Sequence, residues 1–146
     1  NLHVTIGNTV KVPAAVVARD VGLDVALVRT KRANLPVSSL GDSKDAQPGR
    51  LVGLVGYPIP DQFSDEGLGL AASVNFGHVS SVRKHALEVR LPIVPGESGS
   101  PVFLTDTGEV VGMAESRFDQ EHSIGFALPV DDTKKFLHAY DAAHGF

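Results

Sequence analysis

Apolar and polar residues alternate in short runs along most of this chain. Leu2, Val4 and Ile6 alternate with His3 and Thr5, the period of two that marks a half-buried strand. Gly7-Asn8 then reads as a two-residue hairpin turn, because both residues tolerate positive φ. Val10-Lys11-Val12 leads through Pro13 into residues 14–18, a second strand kinked at the proline. Asp20-Val21-Gly22 is a turn, and residues 23–29 (LDVALVR) form a third strand. Asp24 opens that apolar run, where a carboxylate is costly unless it is hydrogen-bonded or exposed at the strand start.

Residues 31–50 are polar, turn-rich and weakly periodic, and read as a connector between two halves, with residues 37–43 extended over the surface. Beyond them the pattern predicts strands at 51–55, 68–74, 78–82, 86–91, 102–104, 109–115 and 124–128. Gly or Pro marks nearly every junction, and Asp106-Thr107-Gly108 is a hairpin turn. Residues 57–67 form a longer, acidic and mobile loop. Strand number and spacing fit a six-stranded antiparallel barrel. The period then changes from 2 to 3.6. Asp131 or Asp132 caps a helix whose buried stripe is Phe136, Leu137 and Tyr140, with Lys134, Lys135 and His138 toward water and Gly145 ending it. The chain is therefore all-β with a C-terminal helix. It divides into residues 1–30, a connector at 31–50, a barrel at 51–130 and the helix at 131–144.

Composition narrows the function class. The chain has 146 residues, enough for one domain with a sizeable core, and a formal net charge of −4 without a basic block. That balance argues against nucleic acid or an anionic membrane as partner. No apolar run is long enough for a transmembrane helix. The absence of cysteine removes disulfides, thiolate zinc sites and thiol catalysis together.

One stretch carries candidate chemistry. In Pro95-Gly96-Glu97-Ser98-Gly99-Ser100-Pro101 a serine sits between two glycines, with apolar β-type runs on either side. Such a turn exposes a short hydroxyl and aims backbone N–H groups at the space beside it, as a serine nucleophile with an oxyanion hole requires. Glycine and serine are also ordinary turn residues, so the motif alone leaves a plain tight turn open.

The order of landmarks resembles the trypsin/chymotrypsin-fold serine proteases, and within them the bacterial Deg/HtrA-like branch. Residues 23–29 resemble the strand bearing that family's catalytic Asp. Leu35-Pro36, Leu40-Gly41-Asp42-Ser43, Gly49 and Val55-Gly56-Tyr57-Pro58 are similar to its inter-barrel linker and the strand that follows. Residues 96–101 match its nucleophile motif, and Gly108–Met113 with Ser123–Pro129 its closing strands. The resemblance implies a chymotrypsin-like double antiparallel β-barrel with a C-terminal helix, its first barrel truncated in residues 1–30. It also implies a serine endopeptidase acting on extended polypeptide. Ser98 would be the nucleophile and Asp24 the carboxylate orienting the base. The N–H groups of Gly96 and Ser98 would form the oxyanion hole, and Ile93, Val94, Ile124, Gly125 and Phe126 would line the specificity pocket. No metal or cofactor is implied. A bacterial envelope or secreted location is compatible with the missing cysteines, as is a cytosolic or organellar one. Glu97 departs from the family's usual Asp or Asn, its side chain expected to point away from the attacked carbonyl, and Ser100 replaces a commoner Gly.

The general base has no counterpart. The family's His lies at the end of a strand two strands upstream of the Asp, a distance on the order of 25–35 residues, and only 23 residues precede Asp24. His3 falls inside the first strand, His78 in a barrel strand, His85 in a polar turn, His122 in a loop, and His138 and His144 on the helix and tail. The expectation is that a His-bearing N-terminal segment, or another protomer, completes the first barrel and the triad. The alternative is an inactive protease-like domain that binds extended peptides or serves as a regulatory module.

Overall fold

The computed structural model describes all residues except 60, 61, 63, 64, 116–123 and 146. It divides into two compact units, one of Asn1–Val37 with Thr133–Phe146 and one of Ser38–Asp132.

In the first unit β1 (His3–Ile6), β2 (Val10–Asp20) and β3 (Val25–Thr30) form an open antiparallel sheet in the order β1-β2-β3. Ile6 pairs with Val10, so the first turn is a three-residue loop rather than the expected two-residue one, with Gly7 and Asn8 at φ 60° and 66°. Pro13 does not divide β2 into two strands. It is the changeover point: residues before it pair with β1 and those after it with β3, where Ala14 opposes Thr30. A proline suits that position because its missing N–H is not asked of the second ladder. Val16 and Val28 face each other across β2 and β3 and remain 45% and 38% exposed. An open hollow of about 610 Å³ lies along residues such as Val12, Ala14, Val17 and Thr30. The helix α1 (Val130–His144) begins at Val130, so Asp131 and Asp132 occupy its first turn instead of capping it. There they still complement the positive end of the helix. Tyr140 is the most buried of the expected stripe, and its hydroxyl accepts from Arg29 Nη2 at 2.7 Å.

The second unit is a closed six-stranded antiparallel barrel. Its strands are β4 (Leu51–Gly56), β5 (Ser73–Arg83), β6 (Ala86–Arg90), β7 (Pro101–Leu104), β8 (Val110–Glu115) and β9 (Gly125–Pro129), in the ring order β4-β5-β6-β9-β8-β7. The expected strands 68–74 and 78–82 are one long strand, β5; residues 68–72 are outside it. Alternation places Val52, Leu54, Val79, Leu87, Val89, Val102, Leu104 and Val111 in the core. Residues 38–50 lie in this unit as well. Ala46, just after the 3₁₀ turn Ser43–Asp45, is fully buried, and Gly41 donates to the Val110 carbonyl.

Most successive strands of the barrel are neighbours, but β6 and β7 are not. They stand opposite each other in the ring of six. Residues 91–100 must therefore span the barrel from one side to the other, and this crossing segment carries Ser98. A bulge between Val79 and Ser81 in β5 has a separate effect. It lets Ser80, Ser81 and Arg83 all donate to Glu88, at 2.9, 3.1 and 3.1 Å.

Two measurements test this account. Leu54→Ala should cost about 2–5 kcal/mol in urea unfolding by leaving a core cavity, while Leu51→Ala, on the exposed face, should stay within about 0.5 kcal/mol. The hydrogen bond from Ser80, then those from Arg83 and Ser81, hold the Glu88 carboxyl below its ordinary value of 4.5. A lowered folded pKa means stability that is present above the unfolded value and lost as pH falls through the folded one. The melting-temperature difference between wild type and Glu88→Gln should thus be full above about pH 4.5 and close as the solution is acidified below it.

Candidate active site

Residues 94–100 of the crossing segment are held by their own backbone and by the residues around them. Glu97 N–H donates to Val94 O at 3.1 Å, Ser100 N–H to Glu97 O at 3.0 Å, and Gly99 N–H to Ala114 O at 2.8 Å. Ala114 N–H returns a bond to Ser100 O at 2.8 Å, and Ile59 N–H donates to Pro95 O at 2.8 Å. Within residues 94–100, two N–H groups stand out against this pattern. Among the described residues, nothing accepts from Gly96 N–H or Ser98 N–H. Gly96 has φ 96°, a region in which a side chain is strained, and Ser98 is exposed. An exposed hydroxyl beside two unengaged N–H donors is what an acyl-transfer site asks of its nucleophile turn.

Glu97 is fully buried. Its Oε2 accepts from Val94 N–H at 3.0 Å and its Oε1 from Asn75 Nδ2 at 3.4 Å. The side chain is thus turned into the barrel end. Gly56 makes room for it: a Cβ there would stand 2.5 Å from Ser100 Oγ and 3.0 Å from Glu97 Cγ.

The expected pocket residues Ile93 and Gly125 meet. A Cβ at 125 would lie 2.6 Å from Ile93 Cδ1, so the bare backbone of β9 is the surface against which Ile93 packs. Val94, Ile124 and Phe126 are half-buried, Phe126 pairing with Glu88 and Glu115.

Asp24 belongs to the first unit. It is not the first residue of β3, as the apolar run suggested, but the last of the four-residue β2–β3 turn, exposed and at φ 54°. Asp tolerates that left-handed region better than most residues. Asp20 Oδ1 accepts from Leu23 N–H at 3.0 Å and fixes the turn.

No described histidine bonds to Ser98. His3 lies in β1 opposite Pro13, and His78 in β5 opposite Arg90. His138 is exposed on α1, while His144 stacks on Tyr140 and bonds to its carbonyl at 2.8 Å. His122 falls outside the described residues. His85 was legible only as a turn residue, yet its Nδ1 lies 3.0 Å from Asp132 Oδ2. No signal in the sequence links positions 85 and 132.

The described residues contain no helix long and apolar enough to cross a membrane. The model of the trypsin-like peptidase domain matches residues 1–113. The chain belongs to the trypsin-like peptidase family. Within that family it is a Deg/HtrA-like domain. It is 32% identical over 139 residues to a probable periplasmic serine endoprotease DegP-like from Halomonas elongata, a match covering 88% of this chain and 27% of the relative. It is also 32% identical to the putative serine protease HhoB of Synechocystis over 89% of this chain and 34% of that protein. The chain thus spans about a third or less of these relatives. The solved HtrA-type protease AlgW with decapeptide superposes with a TM-score of 0.78, covering 94% of this chain and 43% of that one, at 22% identity. At that identity the likeness concerns the fold.

The tight fit at Gly56 gives a prediction. Gly56→Ala should destabilise the barrel by about 1–3 kcal/mol, measured by chemical unfolding, because both the Ser100 and Glu97 side chains must move.

Proposed function

We propose that this domain is the peptidase part of a serine endopeptidase with Ser98 as nucleophile. The single observation that carries the reading is the pair of unengaged N–H groups at Gly96 and Ser98, in a turn, residues 94–100, whose other N–H groups are tied down. Membership of a peptidase family supports it. Ser98 Oγ attacks the scissile carbonyl carbon while a histidine takes its proton. The developing oxyanion is received by Gly96 N–H and Ser98 N–H. The histidine then protonates the departing amine, and water releases the acyl group by the reverse sequence. Asp24 orients that histidine and stabilises it when charged.

The histidine comes from a segment outside residues 1–146, or from another protomer. The uncovered Val16 and Val28 and the open hollow of the first sheet support a further element packing there, since an open sheet leaves edges and apolar surface in water. The substrate is an extended polypeptide. Residues 92–95 (PIVP) contain no acid, so a pocket formed with Ile124, Gly125 and Phe126 suits a small or medium apolar side chain better than Arg or Lys.

A second reading is favoured by one observation, the lack of a histidine partner for Ser98 among the described residues. It makes the domain a peptide-binding or regulatory module without cleavage. Fluorophosphonate treatment of the full-length protein separates the two. Labelling that disappears in Ser98→Ala is the expected result, with Asp24→Asn lowering kcat by about 10⁴-fold. An unlabelled full-length protein that still binds peptides would establish the module instead.

A further inference from the structure

We infer that Glu97 is a positioning residue, which with Asn75 clamps the crossing segment so that the Gly96 and Ser98 N–H groups stay aimed outward. The inference rests on the assignment of Ser98 as nucleophile and adds to it the device that sets the oxyanion-hole geometry.

Burying a carboxylate is costly unless N–H donors replace its water. Glu97 has no exposure, and its two oxygens take one donor each, Val94 N–H and Asn75 Nδ2. The Val94 contact closes a ring. Val94 O accepts from Glu97 N–H while Val94 N–H donates to the Glu97 carboxylate. Residues 94–97 are thereby locked at both ends, and Gly96, whose N–H is one of the two free donors, is inside the lock. The Asn75 contact ties this ring to β5, which is paired on both sides in the closed barrel. The bare Cα of Gly56 on β4 lets the Glu97 side chain lie where it does.

The reach of the side chain matters. An acid at 97 accepts from Val94 and Asn75 together only by extending its full length into the barrel end. Its two oxygens are then taken by Val94 N–H and Asn75 Nδ2, while the Gly96 and Ser98 N–H groups stay unengaged and available to developing negative charge. A shorter Asp would have to give up one donor or draw the segment inward.

The test compares wild type, Glu97→Ala, Glu97→Gln and Asn75→Ala in the full-length protein, with the unfolding midpoint of each recorded. Amide exchange across residues 92–101 is read by mass spectrometry, and kcat and KM are read on a peptide substrate. For Glu97→Ala we expect exchange faster by about tenfold or more. We also expect kcat lower by about 10- to 100-fold with KM within about threefold. Glu97→Gln should recover most of both, since its carbonyl still accepts from Val94 and Asn75 can turn its amide to match. Should Glu97→Ala not fold, Asn75→Ala supplies the same readouts with a smaller effect of about two- to fivefold, because the bond it removes is the longer one. Unchanged exchange and kcat within about twofold in the folded variants would overturn the clamp, as would a glutamine that restores neither. Failure of wild type to label at Ser98 would instead defeat the nucleophile assignment, while the exchange readout still decides the clamp.

Discussion

The crossing from β6 to β7 is the constraint on which the site depends. In a ring of six strands these two stand on opposite sides, so the chain between them cannot close as a hairpin. A ten-residue segment laid across a barrel end has few ladder partners of its own, and buried backbone groups without partners are costly. The structure answers by local turns within residues 94–100, by bonds to Ala114 on β8, and by a buried carboxylate that supplies an acceptor no strand can offer. Within residues 94–100 the two N–H groups left over are those of Gly96 and Ser98. Exposure of the serine and availability of the donors thus come from one topological fact.

The two units meet this requirement with different degrees of completeness. Ser38–Asp132 closes on itself, so every strand has two neighbours and the aliphatic core has no exposed edge. The sheet of β1, β2 and β3 has two edges and an apolar face with cross-strand valines in water. Ser98 therefore sits on a closed scaffold and Asp24 on an open sheet.

Family membership and geometry bear on different questions. The match over residues 1–113 establishes what kind of domain this is, and the superposition establishes a likeness of fold to one solved HtrA-type protease. Neither bears on Glu97, where the sequence departs from the usual residue. There the buried hydrogen bonds give the reason a longer acid is accommodated: the space over Gly56 and the amide of Asn75 lie within its reach.

Alternation and turn residues were enough to place most strands, the barrel count, the terminal helix and the G-x-S-x-G turn, because each of those signals is local. Period two follows from which face of a strand meets the core, and glycine at 96 from a φ that other residues resist. Where local signals misled, a distant partner had decided the outcome. Asp24 looked like the head of a strand, but pairing of Asp20 with Val25 leaves it in the turn. Residues 68–72 looked like strand, yet β4 offers partners only from Ser73 onward. The approach of His85 to Asp132 and of Asn75 to Glu97 is invisible along the chain, since each joins elements that meet only once the strands have found their neighbours. By itself, then, the sequence determined which residues form strands and which serine is presented on a turn. The tertiary structure alone decided what that turn rests on, because side-chain partners across a barrel are set by strand order and not by spacing.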